Sequence, residues 1–305
     1  MKVDLDDGFP GVYAQTDRFR CGMPRSFSVT DAHVTYLRSE GAYERRLSLW
    51  RFDLATGIEH CLVEADALVA DDGDLPDAER ARRERLRESG SGITSYSMNA
   101  SGSRIAFAVA GSLWLWDEFG LRSVETPGPV FDPRLDPAGE CIACVVGVAL
   151  LVLDFVDGTE RARVTRAGCS VGLPDFIASE EFSRYQGHWW SPNGDVLLAQ
   201  VVDESPIDVL YVSDPTYPEQ APREHRYPKA GRANARWSLL AVTPLSGREM
   251  EIAWDRQAFE YLVSVSWSGF GAPLVTLANR EQTRLETFVV DPVSGCSIAS
   301  DTWNW

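Results

Sequence analysis

Short apolar segments alternate with turn sequences along most of this chain. Four stretches share one order: a turn containing glycine, an apolar strand, a short break, and a second apolar strand that ends at an aspartate. They are NASGSRIAFAVAGSLWLWD ending at Asp117, DPAGECIACVVGVALLVLD ending at Asp154, SPNGDVLLAQVVDESPIDVLYVSD ending at Asp214, and SGFGAPLVTLANREQTRLETFVVD ending at Asp291. A weaker fifth copy, LSLWRFDLATG, contains Asp53. Apolar strands separated by such turns predict β-hairpins.

Hairpins that recur at intervals of tens of residues predict a series of small antiparallel sheets, which is the construction of a β-propeller. With about 40 to 50 residues per repeat, a chain of 305 residues supplies about five to six four-stranded blades. The predicted fold is therefore all-β, a partial β-propeller. A two-sheet β-sandwich is the alternative, but the repeated strand, aspartate and turn favour blades.

One segment departs from the β pattern. Residues 77 to 88, DAERARRERLRE, are charged throughout and have an acid near the start and a glycine just beyond the end, which predicts a short helix inserted between blades. Acid and base pairs four residues apart would stabilise its solvated surface. Its arginines could also present a guanidinium to a carbonyl or carboxylate group of a ligand. They are Arg80, Arg82, Arg83, Arg85 and Arg87.

Composition narrows the classes of partner. The net charge of −16 repels phosphate backbones and anionic lipid, so neither nucleic acid nor a membrane is expected. The N-terminal segment carries acids where a secretory leader needs apolar residues, and no run approaches the roughly 20 apolar residues of a membrane helix. Six scattered cysteines suit reduced thiols. We therefore expect a cytoplasmic location.

The cysteine and serine motifs point to structural roles. Cys141 and Cys144 form a CxxC inside a predicted strand, where an offset of three puts the side chains on opposite faces, so we expect core residues and neither a metal nor a cofactor. Ser170 fits the GxSxG pattern of a hydrolase nucleophile, but polar residues precede it and Pro174 follows. A turn in a propeller loop is the expected role. His188 and His225 follow Ser170 without a matching context for a catalytic triad.

Two adjacent acids, Glu180 and Glu181, precede an aromatic strand and a tight turn. Paired carboxylates can bind an amine through charge-assisted hydrogen bonds, although adjacent acids more often solvate the end of a helix. The surrounding segment, DFIASEEFSRYQGHWWSPNG at 175–194, resembles a segment of the dipeptidyl peptidase IV family. RARRERLRESGSGITSY at 80–96 resembles the arginine-rich segment of the cytosolic dipeptidyl peptidases. Further similar stretches are RFRCGMPRSFSV, VDES, RYPKAGRANA, YLVSVSW and REQTRL.

This resemblance implies an exopeptidase that removes N-terminal dipeptides with proline or alanine second, built from an eight-bladed propeller and an α/β-hydrolase domain. It implies that Glu180 and Glu181 bind the free N-terminus of a peptide and that Arg87 binds the backbone oxygen of the following residue. Residues 1–305 are expected to form only the N-terminal propeller domain, left incomplete, with the hydrolase domain and its serine triad absent. The chain alone is then expected to lack a catalytic residue.

Two functions follow from these expectations. The first is the substrate-binding and gating part of a dipeptidyl peptidase, with a peptide and the hydrolase domain as partners. The alternative is a stand-alone propeller that binds a protein or peptide. An open ring exposes the faces of its terminal blades, so homo-oligomers are a further expectation.

Overall fold

The computed structural model describes residues 8–68 and 75–304. Residues 1–7, which enter the argument on a secretory leader, lie outside this part. The chain divides into two compact units, residues 1–144 with 154–159 and residues 145–153 with 160–305, and each is described by itself. The helices of the described ranges are α1 Phe9–Gln15, α2 Asp77–Leu86, α3 Phe176–Glu181 and a 3-10 turn at Ala65–Ala67. None of these is long and apolar enough to cross a membrane.

The first unit contains two antiparallel sheets in which sequence neighbours pair. The first sheet consists of β1 Arg25–Val29, β2 His33–Arg38, β3 Arg46–Asp53 and β4 Glu59–Val63, with the short β5 Ser91–Gly92 parallel to β3. The second sheet consists of β6 Ser97–Met98, β7 Ile105–Val109, β8 Ser112–Asp117 and β9 Gly120–Val124. Their shared core contains Leu37, Leu49, Ile93, Ile105 and Phe107, all fully buried.

The third sheet has the same up-and-down order. Its strands are β10 Val130–Leu135, β11 Cys141–Val146, β12 Ala149–Asp154 and β13 Glu160–Val164. Cys141 and Cys144 are both buried in β11. The prediction of a core strand is confirmed, because β-branched and small apolar side chains fill both faces of this strand.

The second unit contains the fourth and fifth sheets and a separate hairpin. The fourth sheet consists of β14 Ser170–Val171, β15 His188–Trp190, β16 Leu197–Asp203, β19 Arg236–Thr243 and β20 Arg248–Glu251, and the hairpin of β17 Val209–Val212 and β18 Arg223–Arg226. The fifth sheet consists of β21 Tyr261–Ser266, β22 Leu274–Ala278, β23 Arg284–Val290 and β24 Ser297–Asn304. Trp237, Leu239, Leu262, Leu277 and Phe288 belong to one core that joins these two sheets.

These sheets confirm the predicted fold class. Five sheets each follow a four-stranded antiparallel path, and the charged helix predicted at 77–88 is α2.

One hairpin prediction is wrong. The apolar segments ending at Asp203 and Asp214 were expected to pair, but β16 pairs with β19, and β17 pairs with β18. The reason is burial: β19 buries most of its side chains beside β16, whereas β17 leaves all of its side chains half-buried or exposed.

A repeated turn begins at the aspartate that ends several of the apolar segments. Asp53, Asp154 and Asp291 each accept a hydrogen bond from the main-chain N–H two residues later, at 3.0, 2.7 and 2.9 Å. Four residues after each aspartate stands a glycine with φ of 69°, 72° or 73°, whose N–H donates to the aspartate carbonyl oxygen. The carboxylate thus accepts a hydrogen bond from a main-chain N–H of the loop, and the glycine adopts the left-handed conformation that the loop requires.

A second turn also repeats. Its first side chain accepts a hydrogen bond from the main-chain N–H five residues later, at 2.7 to 3.0 Å, and its fourth residue has a positive φ. The turns are Asn99–Gly102, Asp136–Gly139, Ser191–Gly194 and Asn279–Gln282. Glycine, which adopts this conformation at little cost, holds the fourth position in three of them. The exception is Gln282, at φ 53°.

Candidate functional site

The glutamate pair lies on an excursion from the first strand of the fourth sheet. β14 and β15 both pair with β16, Val171 opposite Val201 and His188 opposite Ala199. Between them, the N–H of Gly172 donates to the carbonyl oxygen of Gln200, and the N–H of Gln200 donates to that of Gly187, both at 2.8 Å. Residues 173–186 therefore leave the strand and return beside the same residue.

The short helix α3 begins this excursion at a capping aspartate. Asp175 Oδ1 accepts a hydrogen bond from the N–H of Ala178 at 3.0 Å, which satisfies one of the open donors of the first turn. Its other oxygen, Oδ2, accepts a hydrogen bond from Gln200 Nε2 at 2.8 Å. Asp175 and Gln200 are both buried. The start of the helix is thus fixed to the strand beneath it.

Glu180 and Glu181 are the last two residues of α3, and both are exposed. The chain turns sharply after them, because Ser183 adopts a left-handed conformation with φ 52°. Two carboxylates at this end of a helix, where the open carbonyl groups carry partial negative charge, favour a cation. An ammonium group has three N–H donors and no acceptor, so it matches such a pair of acceptors.

A polar cluster that the sequence analysis did not single out adjoins this end of the helix. The ring of Phe182 lies 5.9 Å from the ring of Tyr261, whose hydroxyl accepts a hydrogen bond from Asn234 Nδ2 at 3.0 Å. Burial raises the pKa of Tyr261, and the negative charges of Glu260 and Glu181 act in the same direction. Sequence signals for this cluster are the stretches YLVSVSW, which begins at Tyr261, and RYPKAGRANA, which contains Asn234.

A cavity of about 390 Å³ lies beside the same cluster. Glu260 Oε2 accepts hydrogen bonds from Asn234 and Arg280, each at 3.1 Å, on its wall. The stacked rings of Trp237 and Trp254, with centroids 4.4 Å apart, contribute an apolar surface. The cavity therefore combines aromatic surface with groups of both charges.

Arg87 stands at the end of α2, in the first unit, whereas the glutamate pair belongs to the second unit. It adopts a left-handed conformation, φ 50° and ψ 43°, which is uncommon for a residue with a side chain. Arg87 is exposed, and its guanidinium makes no hydrogen bond or ion pair within residues 8–68 and 75–304. It differs in this from Arg82 and Arg83, which form ion pairs with Glu79 at 2.7 and 2.8 Å.

The serine and histidine candidates take different places. Ser170 lies in the short strand β14 opposite Val202. The prediction that it lies in a loop turn is wrong, because residues 170–171 pair with β16. Pro174 lies between this strand and α3. His188 is buried in β15 with Nδ1 3.1 Å from the carbonyl oxygen of Gly172, and His225 lies exposed in β18.

Metal-binding side chains do not gather in the described ranges: no group of three or more histidine, cysteine, aspartate or glutamate residues there could hold a metal ion.

The comparisons with known proteins agree with the resemblance. Residues 108–302, more than half of the chain, match the family described as dipeptidyl peptidase IV (DPP IV) N-terminal region. Human dipeptidyl peptidase 8 is 25% identical over 259 residues, which cover 70% of this chain and 29% of that protein. Dipeptidyl aminopeptidase B of Saccharomyces cerevisiae is 28% identical over 200 residues, covering 61% and 24%.

The crystal structure of Porphyromonas gingivalis dipeptidyl peptidase 4 has the same fold. It superposes with a TM-score of 0.71 at 19% sequence identity and covers 97% of this chain and 42% of that one. The chain spans less than a third of each of these two curated relatives. Its strands and sheets are those of a dipeptidyl peptidase propeller region, and the chain belongs to the family of the dipeptidyl peptidase IV N-terminal region.

Proposed function

We propose that this chain is the substrate-binding and gating part of a dipeptidyl peptidase IV-like exopeptidase. In this proposal Glu180 and Glu181 bind the free N-terminal ammonium group of a peptide. Arg87 binds the backbone carbonyl oxygen of the residue that follows the N-terminal residue. The observation that carries the proposal is the exposed pair of carboxylates at the end of a helix that is fixed to the sheet by Asp175 and Gln200.

Such a site would measure a fixed length along the peptide. Charge-assisted hydrogen bonds to the ammonium group fix one end of the substrate, so that a fixed number of residues lies between that end and the reacting bond. The strained conformation of Arg87 supports its part in the proposal, since such conformations cluster at functional sites. An exposed guanidinium can donate to a peptide carbonyl oxygen.

The proposal includes the partners. A peptide with a free N-terminus is the ligand, and an α/β-hydrolase domain supplies the catalytic serine. Nucleic acid and anionic membranes are not partners, because the net charge is −16. Dispersed cysteines support a location in the cytoplasm. Exposed apolar side chains such as Ile298 support self-association.

The test is binding of the tripeptide Ala-Pro-Ala to this chain, measured by calorimetry beside its N-acetylated form. We expect the free amine to bind and the acetylated peptide to bind at least about tenfold more weakly, since acetylation removes the charge. Glu180→Gln and Glu181→Gln should each weaken binding of the free peptide by about tenfold or more.

The matched control is Glu219→Gln, which removes an exposed acid elsewhere in the second unit and should leave binding unchanged. Equal affinity for the free and acetylated peptides, or full binding by both glutamate variants, would overturn the proposal.

A further inference from the structure

Arg184 follows the glutamate pair and is buried, with 8% of its surface exposed. A buried arginine needs partners for several N–H groups, because leaving them unpaired away from water is costly. Its hydrogen bonds therefore indicate which parts of the chain it joins.

The guanidinium group reaches three segments at once. Nη1 donates to the carbonyl oxygen of Gln186 at 2.6 Å and to Gln200 Oε1 at 2.8 Å. Nε and Nη2 both donate to the carbonyl oxygen of Leu262, at 3.3 and 3.2 Å. Arg184 thus joins the end of the excursion to β16 and also to β21 of the fifth sheet.

A single amide group links the two ends of the excursion. Gln200 accepts from Arg184 through Oε1 and donates to Asp175 through Nε2, so one side chain contacts the residue before α3 and a residue after it. The nearest carboxylate oxygen, Asp175 Oδ2, lies 3.7 Å from Nη2 of Arg184. Burial lowers the pKa of Arg184 to about 10, although the charge of Asp175 opposes this shift.

This network is needed because α3 has only six residues. A helix of this length is not stable by itself in water, so contacts beyond the helix must determine where its last residues stand. Lysine cannot replace the arginine here, since a single ammonium group lacks the planar fork that reaches Gln200 and Leu262 together.

We propose that Arg184 is a positioning residue that fixes Glu180 and Glu181 for binding of the peptide ammonium group. This inference rests on the proposed function of the pair. It adds that the position of the pair depends on the second unit's fifth sheet, through Leu262, as well as on the strand from which the excursion departs.

The first experiment needs no ligand. Hydrogen exchange is measured at the amides of Ala178 and Ser179 in α3 and of Leu240 in β19, for Arg184→Lys, Arg184→Met and Gln200→Met. We expect exchange in α3 to accelerate by about tenfold or more while Leu240 keeps its protection, because only the excursion loses its contacts. Arg163→Lys, at an exposed ion pair with Glu160, is the control and should change neither.

The second experiment repeats the binding of Ala-Pro-Ala and its acetylated form. Arg184→Lys and Arg184→Met should bind the free peptide about tenfold more weakly and discriminate less between the two forms, at a temperature where circular dichroism shows both variants folded. Should Arg184→Met fail to fold, Arg184→Lys and Gln200→Met decide the result.

The two proposals fail differently. If the unmodified chain does not discriminate between the free and acetylated peptides, the amine site itself is wrong. If it discriminates and the Arg184 variants do so equally well, or if α3 exchanges at an unchanged rate, the positioning role is wrong and the amine site stands.

Discussion

A Cβ atom on Gly187 would lie 2.5 Å from the carbonyl carbon of Gly172. Gly172 directly precedes the excursion that carries Glu180 and Glu181, and Gly187 directly follows it. The backbones of the two glycines are in contact where the chain leaves the strand and returns to it. No side chain fits between them.

The first prediction concerns this contact. Gly187→Ala should destabilise the protein by about 2 kcal/mol or more, because the methyl group must displace backbone atoms. Urea denaturation measures the change. Gly269→Ala is the control, since its Cβ would meet no atom within 4 Å, and it should be close to neutral. Equal stability of the two variants would contradict the close contact.

The second prediction uses the repeated turn that ends at Gly194 or Gln282. Gly194→Ala should cost about 1 kcal/mol, because alanine must take a left-handed conformation at φ 77°. Gln282→Gly should do the reverse and raise stability by up to about 1 kcal/mol. The midpoints of urea denaturation of the two variants should move in opposite directions, and a shift in the same direction would refute this account of the turn.

The third prediction separates structure from binding at Arg87. Arg87→Gly relieves the left-handed conformation and should stabilise α2 by about 0.5 to 1 kcal/mol, yet it removes the guanidinium. Calorimetry with Ala-Pro-Ala should show weaker binding. Arg80→Gly, inside the helix, should instead cost about 1 kcal/mol and leave binding unchanged. Full binding by Arg87→Gly would remove this residue from the site.

The fourth prediction is a dependence on pH. Burial raises the pKa of Glu79, but hydrogen bonds and charges from Arg82 and Arg83 outweigh it, so the pKa falls below 4.5. A depressed pKa stabilises the folded state above the ordinary value, and this stability disappears as the pH falls through the folded value. The protection factors of the α2 amides, which compare the observed exchange with the intrinsic rate at the same pH, should therefore fall below about pH 4.

The control for this effect is Glu79→Gln. It should cost about 2 kcal/mol at neutral pH, since two largely buried arginines lose their carboxylate, and it should remove the acid-dependent part of the exchange in α2. An unchanged acid response in this variant would assign the effect to other groups.

The fifth prediction concerns thiol reactivity. Burial, followed by the charge of Glu64, raises the pKa of Cys61 to about 11. Because the thiolate is the reactive form, iodoacetamide at pH 8 should modify Cys61 at least about tenfold more slowly than a solvent-exposed thiol. The exposed Cys296 serves as the comparison in the same sample by mass spectrometry. Equal labelling in the folded protein would contradict the environment of Cys61.

The sheets could be predicted from the sequence because their signals are local. An aspartate and a glycine four residues apart form a hairpin turn by their own hydrogen bonds, so Asp53, Asp154 and Asp291 mark strand ends directly. The pairing of β16 with β19 could not be predicted in this way. A complete hairpin lies between these strands, and burial against distant residues, which adjacent sequence does not report, decides the pairing.

The residues of the candidate site also differ in whether the sequence identifies them. Adjacent glutamates are visible in the sequence and suggest an amine site, whereas Gln200 and Arg184 look like ordinary polar residues until their partners are known. Their importance depends on contacts with Asp175 and Leu262, which come from separate elements. The sequence therefore identifies the side chains that would meet a ligand and misses those that hold them.

The return of the excursion to Gln200 has a consequence for how such a site evolves. Since departure and return share one partner residue, insertions or deletions within residues 173–186 do not change the register of β14, β15 or β16. The length and chemistry of the loop can therefore diverge between relatives while the scaffold stays constant. The proposed amine site is therefore best varied in this protein by grafting whole loops between Gly172 and Gly187.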